Sequence, residues 1–323
     1  MKRPDPTEQA LDRLSALRTQ AGAPSAVAQE LKGFLKNRSN LVVAKAAKIA
    51  SELHCTELLP ELVAAFHRFM GNPAKMDKGC AATTEIVAAL YELDYIEPEI
   101  YLTGIHHVQM EGSFGPPVDA AAKLRGWCAL GLARTRSGEA LDEIVSLLVD
   151  PWVEARIGAV RALAANGGET GALLLKLKIL TGETEPDVLA ECFSGLLEMD
   201  PERSLPLVEK YVDAEDLAIA EAALLAIGSS HRPEAFHFLK EKWATSAGSP
   251  LRKTLLLAVA MIRSDEAIEF LVSLLNTCSV KTANDVMAAL AIFRENDKVR
   301  TNVEAAISHR NDRGLTEAFR SQF

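Results

Sequence analysis

Four groups of side chains in this chain of 323 residues are of types that could carry chemistry. His54-Cys55 with His67 offers imidazole and thiolate, ligands that suit zinc. The pattern puts Cys55 at the end of one helix and His67 inside the next, where a surface or interhelix histidine is the simpler reading. His106-His107 with Glu111 offers an i, i+4 pair, His107 and Glu111, on one helical face. Two ligands do not make a metal site, and such pairs are ordinary on helix surfaces. Asp119 with Arg125, and Asp150 with Arg156, share a separation of six residues and could be read as catalytic pairs. No HExxH, no GxxxxGK[ST], no GxGxxG and no GxSxG is present, so neither a metalloprotease, a phosphate cradle nor a nucleophile elbow is written here. No catalytic residue, metal or cofactor is expected.

These residues sit on a repeating framework. Gly138-EALDEIVSLLVD-Pro151 is followed by Trp152-VEARIGAVRALAANG-Gly168, two amphipathic helices broken at Asp150-Pro151. Proline is tolerated in a first turn but not in a helix interior. The late apolar anchor of the second helix recurs at Leu53, Leu93, Leu132, Leu163, Leu197, Ile227, Met261 and Ile292, in steps of 30 to 40 residues. Small-residue runs precede several anchors, as at Ala44-Lys-Ala-Ala47 and Ala220-Glu-Ala-Ala223, and let helices approach closely. The expected fold is all-α: a right-handed α-solenoid of about eight helix pairs. It runs through residues 1–323 as one domain, with an N-terminal capping helix in 1–22 and a C-terminal cap in 295–323.

Composition agrees. The chain is 48% hydrophobic but 6% aromatic, which suits Ala- and Leu-rich helices better than a β-sandwich. Its net charge of −9 disfavours a protein built to grip nucleic acid. The charge is uneven, +5 over residues 1–50, −15 over 51–250 and +1 over 251–323. Five widely spaced cysteines, with no CxxC, argue against a disulfide or zinc framework. The polar N-terminus lacks a signal-peptide core, and no apolar run reaches the length of a membrane span. A cytoplasmic location is expected.

The segment Asp150-Pro-Trp-Val-Glu-Ala-Arg-Ile-Gly-Ala-Val-Arg-Ala-Leu, and Val118-Asp-Ala-Ala-Ala-Lys-Leu-Arg-Gly-Trp-Cys-Ala-Leu-Gly-Leu with it, resembles a HEAT repeat. It is most similar to the HEAT-like repeats of phycobiliprotein (PBS) lyases. The resemblance implies that Asp119, Arg125, Asp150 and Arg156 form an interrepeat ladder of salt bridges and helix caps, for which the planar guanidinium fork is suited. It also brings bilin lyases, iron hydroxylases and DNA glycosylase relatives into view. The hydroxylases use His-Glu dipeptides at helix starts, and this sequence has none.

In such solenoids the second helices line a concave groove. The register of the clearest copy turns Val153, Arg156, Ile157, Val160 and Leu163 inward and leaves Glu154, Gly158, Arg161 and Ala165 on the groove. Transferred by the anchors, it puts Tyr91 and Tyr95 there from the second pair, and Lys123, Trp127, Leu130 and Arg134 from the third. Later pairs present Cys192, Met199, Leu225, Leu256, Met287 and Leu290. Tyr, Trp and Arg are the residue types enriched at binding hot spots. Tyr91, Tyr95, Lys123, Trp127, Arg134 and Arg161 are therefore the expected partner-binding residues. A one-residue register error would rotate any of them by about 100° into packing. The insertion Gly112-Ser-Phe-Gly-Pro-Pro117 offers Phe114 as a loop contact, or as a cover for its own base. The expected function is a non-enzymatic scaffold or adaptor that binds a protein or peptide in this groove, with no membrane partner. The resemblance leaves a bilin-lyase-like enzyme or chaperone, taking a linear tetrapyrrole, as the alternative. A DNA glycosylase relative is weaker, because few cations line the groove.

Overall fold

The computed structural model describes residues 5–19, 24–112, 115–135, 137–310 and 312–323. Its described elements are almost all helical and form two compact units, residues 1–174 and 175–323. The first unit contains α1 (Pro6–Thr19), α2 (Pro24–Leu35), α3 (Asn40–Glu52), α4 (Leu59–Met70), α5 (Pro73–Met76), α6 (Ala81–Glu92) and α7 (Pro98–Ile105). A two-stranded hairpin follows, β1 (Met110–Glu111) and β2 (Val118–Asp119), then α8 (Ala122–Arg134), α9 (Ala140–Leu147) and α10 (Val153–Asn166). The boundary falls inside α11 (Gly168–Leu180). The second unit continues with α12 (Pro186–Met199), α13 (Pro201–Glu209), α14 (Leu217–Ser229), α15 (Pro233–Thr245) and α16 (Arg252–Ile262). It ends with α17 (Asp265–Thr277), α18 (Val280–Leu290), α19 (Asp297–Ser308) and α20 (Arg313–Gln322).

Each unit is an α-solenoid stack of helix pairs. In the first, α1, α3, α6, α8 and α10 lie side by side, and α2, α4, α7 and α9 each pack on the helix that follows in that row. In the second, the row is α12, α14, α16, α18 and α20, covered by α13, α15, α17 and α19. A lone helix pair buries too little apolar surface to be stable, and stacking supplies the rest. The small residues permit the stacking: Ala46, Ala47, Ala220 and Ala223 are fully buried in the rows. Proline in the first turn starts α4, α7, α12, α13 and α15, where its missing N–H costs no helical bond. Among the described residues, no helix is long and apolar enough to cross a membrane.

The insertion between α7 and α8 is an antiparallel hairpin, with Met110 opposite Asp119 and Glu111 opposite Val118. Phe114 lies outside the described residues.

Candidate functional site

The site is built on α8 and α10, and their N-terminal ends are fixed by a connected polar line. Arg125, in the first turns of α8, donates from Nη1 to Asp119 Oδ2 at 2.5 Å. Its Nε and Nη2 grip both oxygens of Asp150 at 3.0 and 3.1 Å. Its Nη1 also donates to the His107 carbonyl at 2.9 Å. Asp119 accepts from the backbone N–H of Gln109 at 2.9 Å and of Ala121 at 3.0 Å. Asp150 accepts from the Trp152 N–H at 2.8 Å. Arg156 donates to the carbonyls of Asp150 and Pro151 at 2.9 and 3.2 Å. Burial opposes charge on Asp119, but the Gln109 and Ala121 amides and Arg125 outweigh it and hold the carboxyl below its ordinary value. Burial likewise works against the Arg125 cation, and the two carboxylates outweigh it, raising its pKa.

Asp77 does the same job one pair earlier. Its carboxylate accepts from the N–H groups of Ala82 and Thr83, both at 2.8 Å, and from Thr83 Oγ1 at 2.7 Å. Sequence reading passed over it because Thr83 stands where the later copies carry arginine. The signal was the separation of six residues from Asp77 to Thr83, the same as in the two Asp–Arg pairs.

Above this line α8 and α10 touch through glycine. A Cβ on Gly158 would overlap the Gly126 backbone, and one on Gly126 would lie 2.8 Å from the Glu154 carbonyl oxygen. Glycine inside a helix costs about 1 kcal/mol relative to alanine, and this close approach is what requires it. The result is a cleft of about 230 Å³. Gly126 and Gly158 floor it, while the half-buried Trp127, Leu130 and Ile157 form apolar walls. The exposed Lys123, Glu154 and Arg161 stand at its rim.

Trp127 is braced from α6. Its ring centroid lies 5.7 Å from that of Tyr91, with the planes tilted by 56°. The Arg134 guanidinium carbon sits 3.5 Å from the centroid of the Tyr91 ring. Arg134 also donates to the Tyr91 carbonyl at 2.9 Å and pairs with Asp94 at 3.2 Å. So Lys123, Trp127 and Arg161 line one cleft, and Tyr91 and Arg134 support its largest wall.

Several positions differ from the sequence register. Tyr95 is not a groove residue of α6, because that helix ends at Glu92. Asp94 takes a left-handed φ of 56°, and the N–H groups of Asp94 and Tyr95 close back on the carbonyls of Tyr91 and Leu90 at 3.2 and 2.9 Å. This is a Schellman ending. It carries the Tyr95 ring to 6.3 Å from Tyr101, whose hydroxyl donates to the Tyr95 carbonyl at 2.7 Å. Ile157, expected in the core, walls the cleft, and Gly158 is buried at the helix contact. Cys192, Leu256, Met287 and Leu290 are buried core residues rather than groove residues. Gly126 was missed, although glycine inside a helical pattern is itself a sign of close approach.

The histidine groups also separate. α7 ends at Ile105, so His107 and Glu111 share no helical face. Glu111 lies in β1 and accepts from the Gly79 N–H at 2.6 Å and from Gln109 Nε2 at 2.7 Å, and these bonds hold its carboxyl below its ordinary value. His106 faces Glu143 at 3.2 Å. Among the described residues no group of three His, Cys, Asp or Glu could hold a metal ion. Burial raises the pKa of all five thiols, that of Cys80 to about 12, so none is poised as a thiolate nucleophile.

No protein-family model and no curated protein matches this chain. Among solved structures, it is similar to an engineered protein at 17% identity and a TM-score of 0.38, over 99% of this chain and 95% of that one. It is also similar to human deoxyhypusine hydroxylase in complex with glycerol, at 17% identity and a TM-score of 0.31, over 80% of this chain and 91% of that one. The second is an enzyme, and with it the expectation of a non-enzymatic chain is withdrawn. Neither likeness assigns a reaction to this protein.

Proposed function

We propose that this protein is a binding scaffold whose α8–α10 cleft takes a side chain of a protein or peptide partner. The observation that carries the reading is the cleft itself. It has apolar walls, a floor kept open by two glycines, and a tryptophan braced by Tyr91 and Arg134. Braced aromatic and arginine residues around a small apolar slot are the usual makings of a hot spot. The cleft's 230 Å³ suits one bulky side chain and falls below the roughly 300–1,000 Å³ of sites that enclose a whole small molecule. That favours a peptide anchor over a linear tetrapyrrole. The same reading places the chain among HEAT-like arrays of the phycobiliprotein-lyase type, supported by its helix pairs and by the Asp119–Arg125 and Asp150–Arg156 motifs. It sets the protein in the cytoplasm, where its five unpaired thiols would stay reduced.

The test uses a peptide array probed with the purified protein, followed by titration of the captured peptides. Trp127→Ala is expected to weaken binding by about tenfold or more, as hot-spot truncations do, with helicity unchanged. Undiminished affinity in Trp127→Ala removes the assignment.

A further inference from the structure

We infer that the second unit holds a separate binding site for a small organic cation, a guanidinium or ammonium group on an apolar body. It lies where α12 and α13 meet α14 and the start of α15, and it does not depend on the α8–α10 cleft. Two adjoining cavities of about 300 and 430 Å³ there share Leu197, Pro201, Ser230 and Arg232. Each reaches the size of sites that enclose a small molecule, roughly 300 Å³ and upward, which the cleft of 230 Å³ does not.

Three prolines leave acceptors without donors in this corner. Pro201, Pro206 and Pro233 have no N–H, so the carbonyls four residues earlier, on Leu197, Glu202 and Ser229, cannot receive the usual helical bond. Leu197 lines both cavities, Glu202 one and Ser229 the other. Leu197 is only 3% exposed. A buried carbonyl deprived of its helical donor calls for one from elsewhere, including water or a ligand.

Charge sets the sign of the occupant. Glu198, Glu202 and Glu234 line the cavities against one guanidinium, Arg232, which faces Glu234 at 3.7 Å. Among the described residues Glu198 and Glu202 pair with no cation. His231, also in the lining, turns its Nδ1 to the Met261 carbonyl at 2.6 Å. α12 and α14 both end here, and neither has a basic residue in its last turn. A helix C-terminus carries partial negative charge, so an anion is opposed by the carboxylates and by both helix ends. Among the described residues no group of three His, Cys, Asp or Glu could hold a metal ion. A guanidinium or ammonium group brings positive charge and several N–H donors together. Leu197, Leu205 and Pro206 offer its apolar body a wall.

The experiment titrates the full chain by NMR with four probes of one shape: phenylbutylguanidinium, phenylbutylammonium, phenylbutanol and phenylbutanoate. Both cations are expected to bind about tenfold or more tightly than the alcohol, the scale of a hydrogen bond from a charged group, and the carboxylate is expected not to bind. Glu198→Gln with Glu202→Gln should weaken the cations by about three- to fivefold and leave the alcohol unchanged. Pro206→Ala, which returns an N–H to the Glu202 carbonyl and suits a helix, should weaken them by roughly two- to threefold. Thermal melting of each variant shows that the second unit is folded. Failure of both cations to saturate, equal binding of cation and alcohol, or preference for the carboxylate overturns the site. Cation binding unchanged in both variants does the same. A capped Ala-Arg-Ala peptide that binds more tightly than either small cation overturns the small-molecule occupant in favour of a protein side chain.

Discussion

The two units solve one problem, the orphan N–H groups at helix starts, in different ways. In the second unit the caps are local. Asp216 serves α14, Ser264 serves α17, Ser279 serves α18, Asn296 serves α19 and Asp312 serves α20, each through its own side chain. In the first unit the residues at the N-caps of α6, α8 and α10 give no side-chain cap. The Asp77 carboxylate reaches the second and third amides of α6 instead, those of Asp119 and Asp150 hold the N–H groups of Ala121 and Trp152 just ahead of α8 and α10, and Arg125 ties the last two carboxylates together. A local cap stabilises one helix, whereas a shared guanidinium fixes the position of one helix against the next. The cleft lies where that fixing is strongest. The α14–α16 contact also uses a glycine, Gly228, which meets the Ala258 backbone, but no tied Asp–Arg line accompanies it among the described residues.

The largest expected effect breaks the tie. Arg125→Ala leaves two carboxylates without their cation, Asp119 deeply buried and Asp150 nearly so, and should destabilise the first unit by about 3–5 kcal/mol. Amide hydrogen exchange should show the loss in α8 and α10, with α16 and α18 unchanged. A cost near zero would mean that the ladder does not hold these helices.

Gly158→Val comes next. Its side chain would collide with the Gly126 backbone, and overpacking of this kind costs about 1–3 kcal/mol. The helices should separate, and peptide affinity should fall even though every charged rim residue remains.

Acid sharpens the same contrast. The native pKa of Asp119 lies below its ordinary value, so its contribution is present above the unfolded value of about 4 and is lost as pH falls through the native one. Asp119→Asn should flatten the acid dependence of the first unit's unfolding below about pH 4 and leave the second unit's profile as it was.

The smallest effect belongs to a local cap. Ser279→Ala should cost about 1 kcal/mol, confined to α18 and its neighbours in a denaturant or exchange experiment. A loss spread into α8 would contradict the division between local and connected capping.

The helices were legible in the sequence because alanine runs, first-turn prolines and apolar spacing all follow the helical period. Lys123, Trp127 and Arg161 were placed on one face by that period alone. Tyr95 was not, since a left-handed Asp94 ends α6 early and nothing in the apolar pattern marks it. The later register slipped for a related reason. Ile292, used as an anchor, lies beyond the end of α18 and is 40% exposed, so the positions counted from it rotated into the core. Asp77 was hidden by a threonine in an arginine's place. The cleft depends on the backbone contact of Gly126 with Gly158, a pairing between helices that no single-helix pattern contains.

The central claim is that a partner docks between α8 and α10. Hydrogen exchange of the full chain, with and without a saturating array-selected peptide, tests it directly. The account expects slowed amides in residues 123–130 and 154–161 that vanish in Trp127→Ala. Protection confined to the second unit, or to the β1–β2 hairpin, would contradict it.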